Sequence, residues 1–157
     1  YAKKSIQDLF AKPVLEQATE RLFNYASSVV AINEGGGVFK VKRLPVMVQL
    51  SSVNAVLPTD VNGDGKVDLV AGGNLFTFPP QFGRLDASYG HVLLGNGKGD
   101  FQWVEQRSSG LNIKGQIKDI KEFQTPQNHL LLITQNDGKP QMMKVNTNKP
   151  GEKYVFK

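Results

Sequence analysis

A chain of 157 residues, 39% hydrophobic and 21% charged, is of single-domain size, large enough to bury a core and too apolar for a disordered or collagen-like polymer. It has no cysteine, which excludes a disulfide framework and any thiolate metal site and leaves the redox compartment open. The net charge of +5 raises the question of nucleic acid, but the 19 Lys and Arg are scattered in short clusters such as Lys40-Val41-Lys42-Arg43 and residues 118–121, with no basic stripe interleaved with aromatics, so no nucleic-acid partner is expected. No apolar run approaches the ~20 residues of a membrane span. The chain begins at Tyr1 and shows no signal-peptide pattern, and it reads as a piece of a longer precursor.

In chain order, the first segment is helical. Ser5 precedes Ile6, Leu9 and Phe10 at helical spacing, and Asp8 three residues on makes a capping-box start. Pro13 interrupts this piece and opens a second, in which Val14, Leu15, Ala18, Leu22 and Phe23 continue a 3.6-residue apolar face. That face is expected to pack against a sheet, making residues 1–25 a helical flank or insertion. From Ala26 the pattern changes to strands. Ser28-Val29-Val30-Ala31-Ile32 runs through Glu34-Gly35-Gly36-Gly37 into Phe39-Lys40-Val41-Lys42, a hairpin, and residues 91–94 run through Gly95-Asn96-Gly97-Lys98-Gly99 into Phe101-Gln102-Trp103-Val104, a second hairpin of the same grammar. Phe39 and Phe101 are 62 positions apart, the spacing of an internal repeat.

Between the hairpins lies Asp-Val-Asn-Gly-Asp-Gly-Lys-Val-Asp, residues 60–68, with oxygen donors at alternating positions around a forced turn. Side-chain oxygens of Asp60, Asn62, Asp64 and Asp68 can converge on one hard cation, the carbonyl of Lys66 can add a ligand, and Gly65 permits the reversal. An EF-hand would need a bidentate Glu at its twelfth position, where this chain has Ala71. The run after the loop, Leu69-Val70-Ala71-Gly72-Gly73, suits a buried strand and not an exiting helix. A dockerin-type module shares the opening of the loop but needs the same late acid and two loop-helix copies. Ligand number and loop flexibility favour Ca²⁺ over Mg²⁺.

Residues 60–69, set between a strand and a Gly-rich strand, resemble an FG-GAP (or VCBS) repeat, the blade unit of integrin-α-type β-propellers. Phe82-Gly83-Arg84-Leu85-Asp86-Ala87-Ser88-Tyr89-Gly90 and Val92-Leu93-Leu94-Gly95-Asn96-Gly97-Lys98-Gly99-Asp100-Phe101 are similar to the later part of such a blade in secreted bacterial proteins that also carry an ASPIC/UnbV module. The resemblance spans roughly residues 25–145. It implies an all-β fold of propeller-type blades: residues 26–48 a partial blade, 51–105 a calcium blade and 115–157 a blade that ends with residues 142–145 and Tyr154-Val155-Phe156. The last blade is degenerate, because Asp119-Ile120-Lys121-Glu122 stands where ligands should be; Asp119 and Glu122 read as surface acids. About two and a half four-stranded blades make an incomplete propeller, since closed ones have roughly four to eight. Its open edges would be met by the remaining blades of a longer parent or by another copy of this chain.

Arg84, Asp86 and Tyr89, with Ser88, form the densest polar cluster outside the loop and are candidate ligand-binding residues: Arg can grip a carboxylate or sulfate, and Tyr can stack on a sugar ring. His91 and His129 each stand alone at the start of an apolar strand and read as structural. The serine pairs show no nucleophile elbow, and the glycine clusters at 35–37 and 95–99 lead into strands, not helices, so neither a serine hydrolase nor a phosphate-binding loop is supported. The expected function is a non-catalytic calcium-binding module for a polysaccharide or protein partner, extracellular or at the bacterial cell surface or periplasm. The alternative is a structural or substrate-binding part of a secreted carbohydrate-active enzyme.

Overall fold

The computed structural model describes residues 3–146 and 155–156, and the fold is all-β with a few short helices. Strands β1 (Val29–Gly35) and β2 (Val38–Arg43) form a two-stranded antiparallel sheet. Strands β3 (Val53–Thr59), β4 (Asp68–Gly73), β5 (His91–Gly95) and β6 (Phe101–Val104) form a four-stranded antiparallel meander. A second meander holds β7 (Gln116–Gln124), β8 (His129–Asn136), β9 (Gln141–Asn146) and β10 (Val155–Phe156). Tyr154, expected in the last strand, lies outside the described residues. The 62-residue spacing is visible in the pairing itself: Ala31 faces Val41 in the first hairpin and Leu93 faces Trp103 in the later one.

Two faces meet to make the core. Alternation along β3 to β6 places Ala55, Val70 and Val92 on one face, and along β7 to β9 it places Ile120, Leu131, Ile133 and Val145 on another. Strand β7 crosses over β3 and β4, and the two sets pack together with Leu111 and Ile113 from the connection between the sheets. Gly72 is needed at this crossing: a Cβ there would stand 2.4 Å from Cδ1 of the buried Ile117. Asn54 also spans the sheets, donating from Nδ2 to the Ile117 carbonyl at 3.0 Å.

The two-stranded sheet meets the turn between β5 and β6. Ile32 comes down on Gly99, where a Cβ would meet Ile32 Cδ1 at 2.3 Å, and Lys42 Nζ donates to the Lys98 carbonyl at 3.0 Å and to Asp100 at 2.6 Å. Its opposite face, with Val29, Phe39 and Val41, is exposed. The outer face of the last sheet is open as well, with Phe123 and Met142 at the surface. Each of these two sheets therefore has an open face with exposed apolar residues.

The N-terminal flank departs from expectation. Helices α1 (Ile6–Leu9) and α2 (Lys12–Glu16) form as two pieces, with the Ser5 hydroxyl and N–H both donating to Asp8 and Pro13 in the first turn of α2. They do not pack against a sheet: neither helix has a buried residue, and Leu22 and Phe23 lie outside any helix at 82% and 89% exposure. Helices of four and five residues fall far short of the ~12–15 needed to persist without tertiary support, so the 3.6-residue pattern beyond Glu16 does not become a helix. Helix α3 (Gln106–Ser109) closes the first meander and ends on Gly110 in the left-handed region, φ +72°. Among the described residues no helix is long and apolar enough to cross a membrane.

Candidate metal centre

The acidic loop connects β3 to β4, and Val61 anchors it by burying its side chain in the core. Gly63 and Gly65 take left-handed conformations, φ +76° and +80°, and turn the chain so that its N–H groups point at its own acids. Asp60 is the hub. Its Oδ1 accepts the N–H groups of Gly63 at 2.7 Å and of Asn62 and Asp64 at 3.3 Å, and its Oδ2 accepts that of Gly65 at 2.8 Å. Asn62 Oδ1 accepts the Asp64 N–H at 2.9 Å, and Asp64 Oδ1 accepts the Lys66 N–H at 2.9 Å.

Asp64 and Asp68 differ sharply. Asp64 is exposed, and the Lys66 ammonium donates to its Oδ2 at 3.0 Å, which together with the Lys66 N–H holds the carboxyl below the usual range. Asp68 is fully buried. Its Oδ1 accepts the Gly95 N–H at 2.8 Å and its Oδ2 the Val61 N–H at 3.1 Å. Burial pushes the Asp68 carboxyl above its ordinary value despite these two bonds, and the negative charges of Asp64 and Asp60 push it further.

These side chains do not converge as the sequence suggests. Among the described residues no three His, Asp or Glu groups stand together closely enough to hold an ion; Asp68 is turned to Gly95 and Val61, and Asp64 to Lys66. The chemistry of the donor set nonetheless fits a hard divalent cation. It is all oxygen, and the mutual repulsion felt at Asp68 is what a cation in this loop would relieve. In the structure the Lys66 ammonium serves Asp64 as its counter-ion.

Arg84 lines one space, and Asp86 and Tyr89 line the one next to it. An isolated bridge pairs Leu75 with Leu85 and divides the connection there. Arg84 places its guanidinium over the Phe76 ring, 5.1 Å from the centroid, and lines a cleft of about 530 Å³ with Lys114 and Lys139. Asp86 and Tyr89 line a separate cavity of about 330 Å³ with Asn74 and Ser88, and the two spaces adjoin at Phe76, Lys114 and Gly115.

Four residues, Asn74, Glu122, His129 and His91, carry more than their sequence positions suggest. Asn74 is buried with φ +86°, and its amide accepts from the Ser51 hydroxyl at 2.8 Å and the Ser88 N–H at 2.9 Å while donating to the carbonyls of Ser88 at 2.7 Å and Gly115 at 2.8 Å. Its signal in the sequence is a non-glycine residue after Gly72-Gly73 of a type that tolerates the left-handed region. Glu122 is not a plain surface acid: it accepts bonds from the Thr59 hydroxyl and from Gln124 and pairs with His129, whereas the Asp119 carboxylate pairs with Lys121 and accepts the Ile120 N–H of its own strand. His129 is thus not alone, because alternation on paired strands puts it on the same face as Glu122. His91 is buried, and its Nε2 lies 3.1 Å from the Ser88 hydroxyl; burial lowers its pKa.

Compared with known proteins, the chain matches no family model, no curated protein and no solved structure.

Proposed function

We propose that this chain is a non-catalytic calcium-binding module of FG-GAP-like, propeller-type sheets that presents a binding surface to a polysaccharide or protein partner outside the cell. The observation that carries the metal reading is Asp68: a buried carboxylate fixed by two backbone N–H groups, with Asp60 and Asp64 close enough for their charges to raise its pKa. Calcium would be held by Asp60, Asn62, Asp64 and Asp68, with the Lys66 carbonyl as a further donor. The bound ion supplies positive charge that ties the β3–β4 connection together. The protein's own part is to hold Asp60 and Asp68 in place through the N–H groups of Gly63, Gly65, Val61 and Gly95. Because the unfolded chain lacks the assembled loop, binding adds to folding stability. Calcium at the millimolar level of extracellular fluids need not be bound tightly to fill such a loop, which supports a secreted or surface setting.

Open apolar faces on two of the antiparallel sheets support the propeller part of the reading, since each has the character of a surface meant to be covered by a further sheet. The test of the metal is calorimetric titration of Ca²⁺ into EDTA-stripped protein, with thermal melts alongside and Asp64→Ala as control. Uptake of one ion per chain with a raised melting temperature, both lost in the variant, is the expected result. No heat and an unchanged melt up to several millimolar Ca²⁺ would overturn it.

A further inference from the structure

The cleft beside Arg84 collects positive charge without a partner. Arg84 comes from the β4–β5 connection, Lys114 from the segment before β7 and Lys139 from the β8–β9 turn, and folding sets all three around about 530 Å³ of open space. Among the described residues none of the three makes an ion pair. Asp137 is the one acid in the lining, so the cleft is cationic on balance. Gathering like charges is unfavourable unless something of opposite sign relieves it.

The neutral groups around these cations specify the anion further. Gln135, Asn136 and Gln141 line the same cleft, and each amide offers both donors and an acceptor, the set that matches vicinal sugar hydroxyls. The Phe76 ring supports the Arg84 guanidinium and leaves its N–H groups for a bidentate acceptor. The floor is fixed: the buried Asn74 amide holds the Gly115 carbonyl, and a Cβ at Gly115 would stand 2.2 Å from Gln135 Oε1. The adjoining cavity, lined by Tyr89 and the acid Asp86, continues the space past Lys114, so a chain of sugars has room to run through with its anionic group on the Arg84 side. Single-stranded nucleic acid fits less well: Phe76, the one aromatic ring lining this cleft, has Arg84 over it, and the other aromatic nearby is Tyr89 in the adjoining cavity.

We propose that this cleft binds an anionic polysaccharide, gripping a carboxylate or sulfate of one sugar with Arg84, Lys114 and Lys139. The proposal rests on the reading of the chain as a binding module and not on its metal. The test is isothermal titration at physiological salt with polygalacturonate as the carboxylate ligand, dextran sulfate as the sulfate ligand, and dextran and oligo-dT as controls, each in Ca²⁺ and in EDTA.

Binding to one of the anionic glycans and not to dextran is expected, and whichever binds more tightly identifies the anion. Arg84→Gln, and separately Lys114→Gln with Lys139→Gln, should weaken it roughly tenfold or more at an unchanged melting temperature. Asp64→Ala should leave it intact, so loss of calcium binding and loss of glycan binding can be told apart. The idea is overturned if neither anionic glycan binds, if oligo-dT binds as tightly as the glycans, if the cleft variants bind like the parent, or if binding requires Ca²⁺ and disappears in Asp64→Ala.

Discussion

Asp68 Oδ1 accepts the Gly95 N–H at 2.8 Å, which fastens the last acid of the loop to the end of β5. The contact is possible only because residue 95 has no side chain: a Cβ there would stand 2.0 Å from the Val67 carbonyl oxygen. Gly95→Ala should therefore pry the loop exit from β5, lower stability by about 2–4 kcal/mol and weaken Ca²⁺ binding without altering a ligand. Urea unfolding and calcium titration of the variant check this; calcium affinity equal to the parent would show that the loop does not depend on β5.

Asp60 and Asp64 should separate folding from metal binding. Asp60 is the acceptor for four backbone N–H groups, and Asp60→Ala leaves those of Asn62, Gly63 and Gly65 without their carboxylate while Asp64 keeps its bond to Asn62, so it should cost about 1–3 kcal/mol even in EDTA. Asp64→Ala removes only an exposed contact with Lys66 and should leave the EDTA melting temperature unchanged. Both should abolish the rise in melting temperature on adding calcium. Equal melts for the two variants in EDTA would contradict the assignment of Asp60 as the hub.

Asn74 holds four hydrogen-bonding groups while sitting in the left-handed region. Asn74→Ala should cost about 3 kcal/mol or more, because buried carbonyls of Ser88 and Gly115 lose their donor and alanine is strained at that φ. Asn74→Gly should recover only the strain, on the order of 1–2 kcal/mol. Full recovery by glycine in chemical denaturation would mean that the amide network contributes nothing.

Glu122 gives the fold a defined acid response. Burial pushes its carboxyl up, but the bonds from Thr59 and Gln124 and the neighbouring His129 outweigh this and bring it below 4.5. A carboxyl lowered in the folded state stabilises fully above its unfolded pKa and stops doing so as pH falls through the folded value. The parent should be more stable than Glu122→Gln at about pH 6, and the gap in urea midpoint should close as the solution is taken below 4.5. A gap independent of pH would remove Glu122 as its source.

Much of the strand architecture was legible because it follows from alternation and glycine turns: the hairpins of β1–β2 and β5–β6 lie where Ser28 to Lys42 and His91 to Val104 indicate. The amphipathic pattern after Pro13 misled, because periodicity reports which face could be buried and not whether a surface is there to receive it. The loop showed its residue types but not their directions. Lys66 turns back on Asp64, and Asp68 turns inward, and both choices are made by neighbours that the local spacing does not reveal. Arg84, Asp86 and Tyr89 are close in sequence and line two adjoining spaces, but the cationic cleft unites positions 84, 114 and 139, which only folding makes adjacent.

The two open apolar faces are unlike: one belongs to a two-stranded ribbon with Phe39 and Val41, the other to a four-stranded sheet with Phe123 and Met142. A two-fold axis can match a surface only with itself, so symmetric pairing would hide one end and leave the other wet. Covering both ends with a single kind of contact requires the unlike faces to meet, all copies joined in one direction. The rotation from one such joint to the next then decides whether the assembly shuts into a ring or grows as a filament.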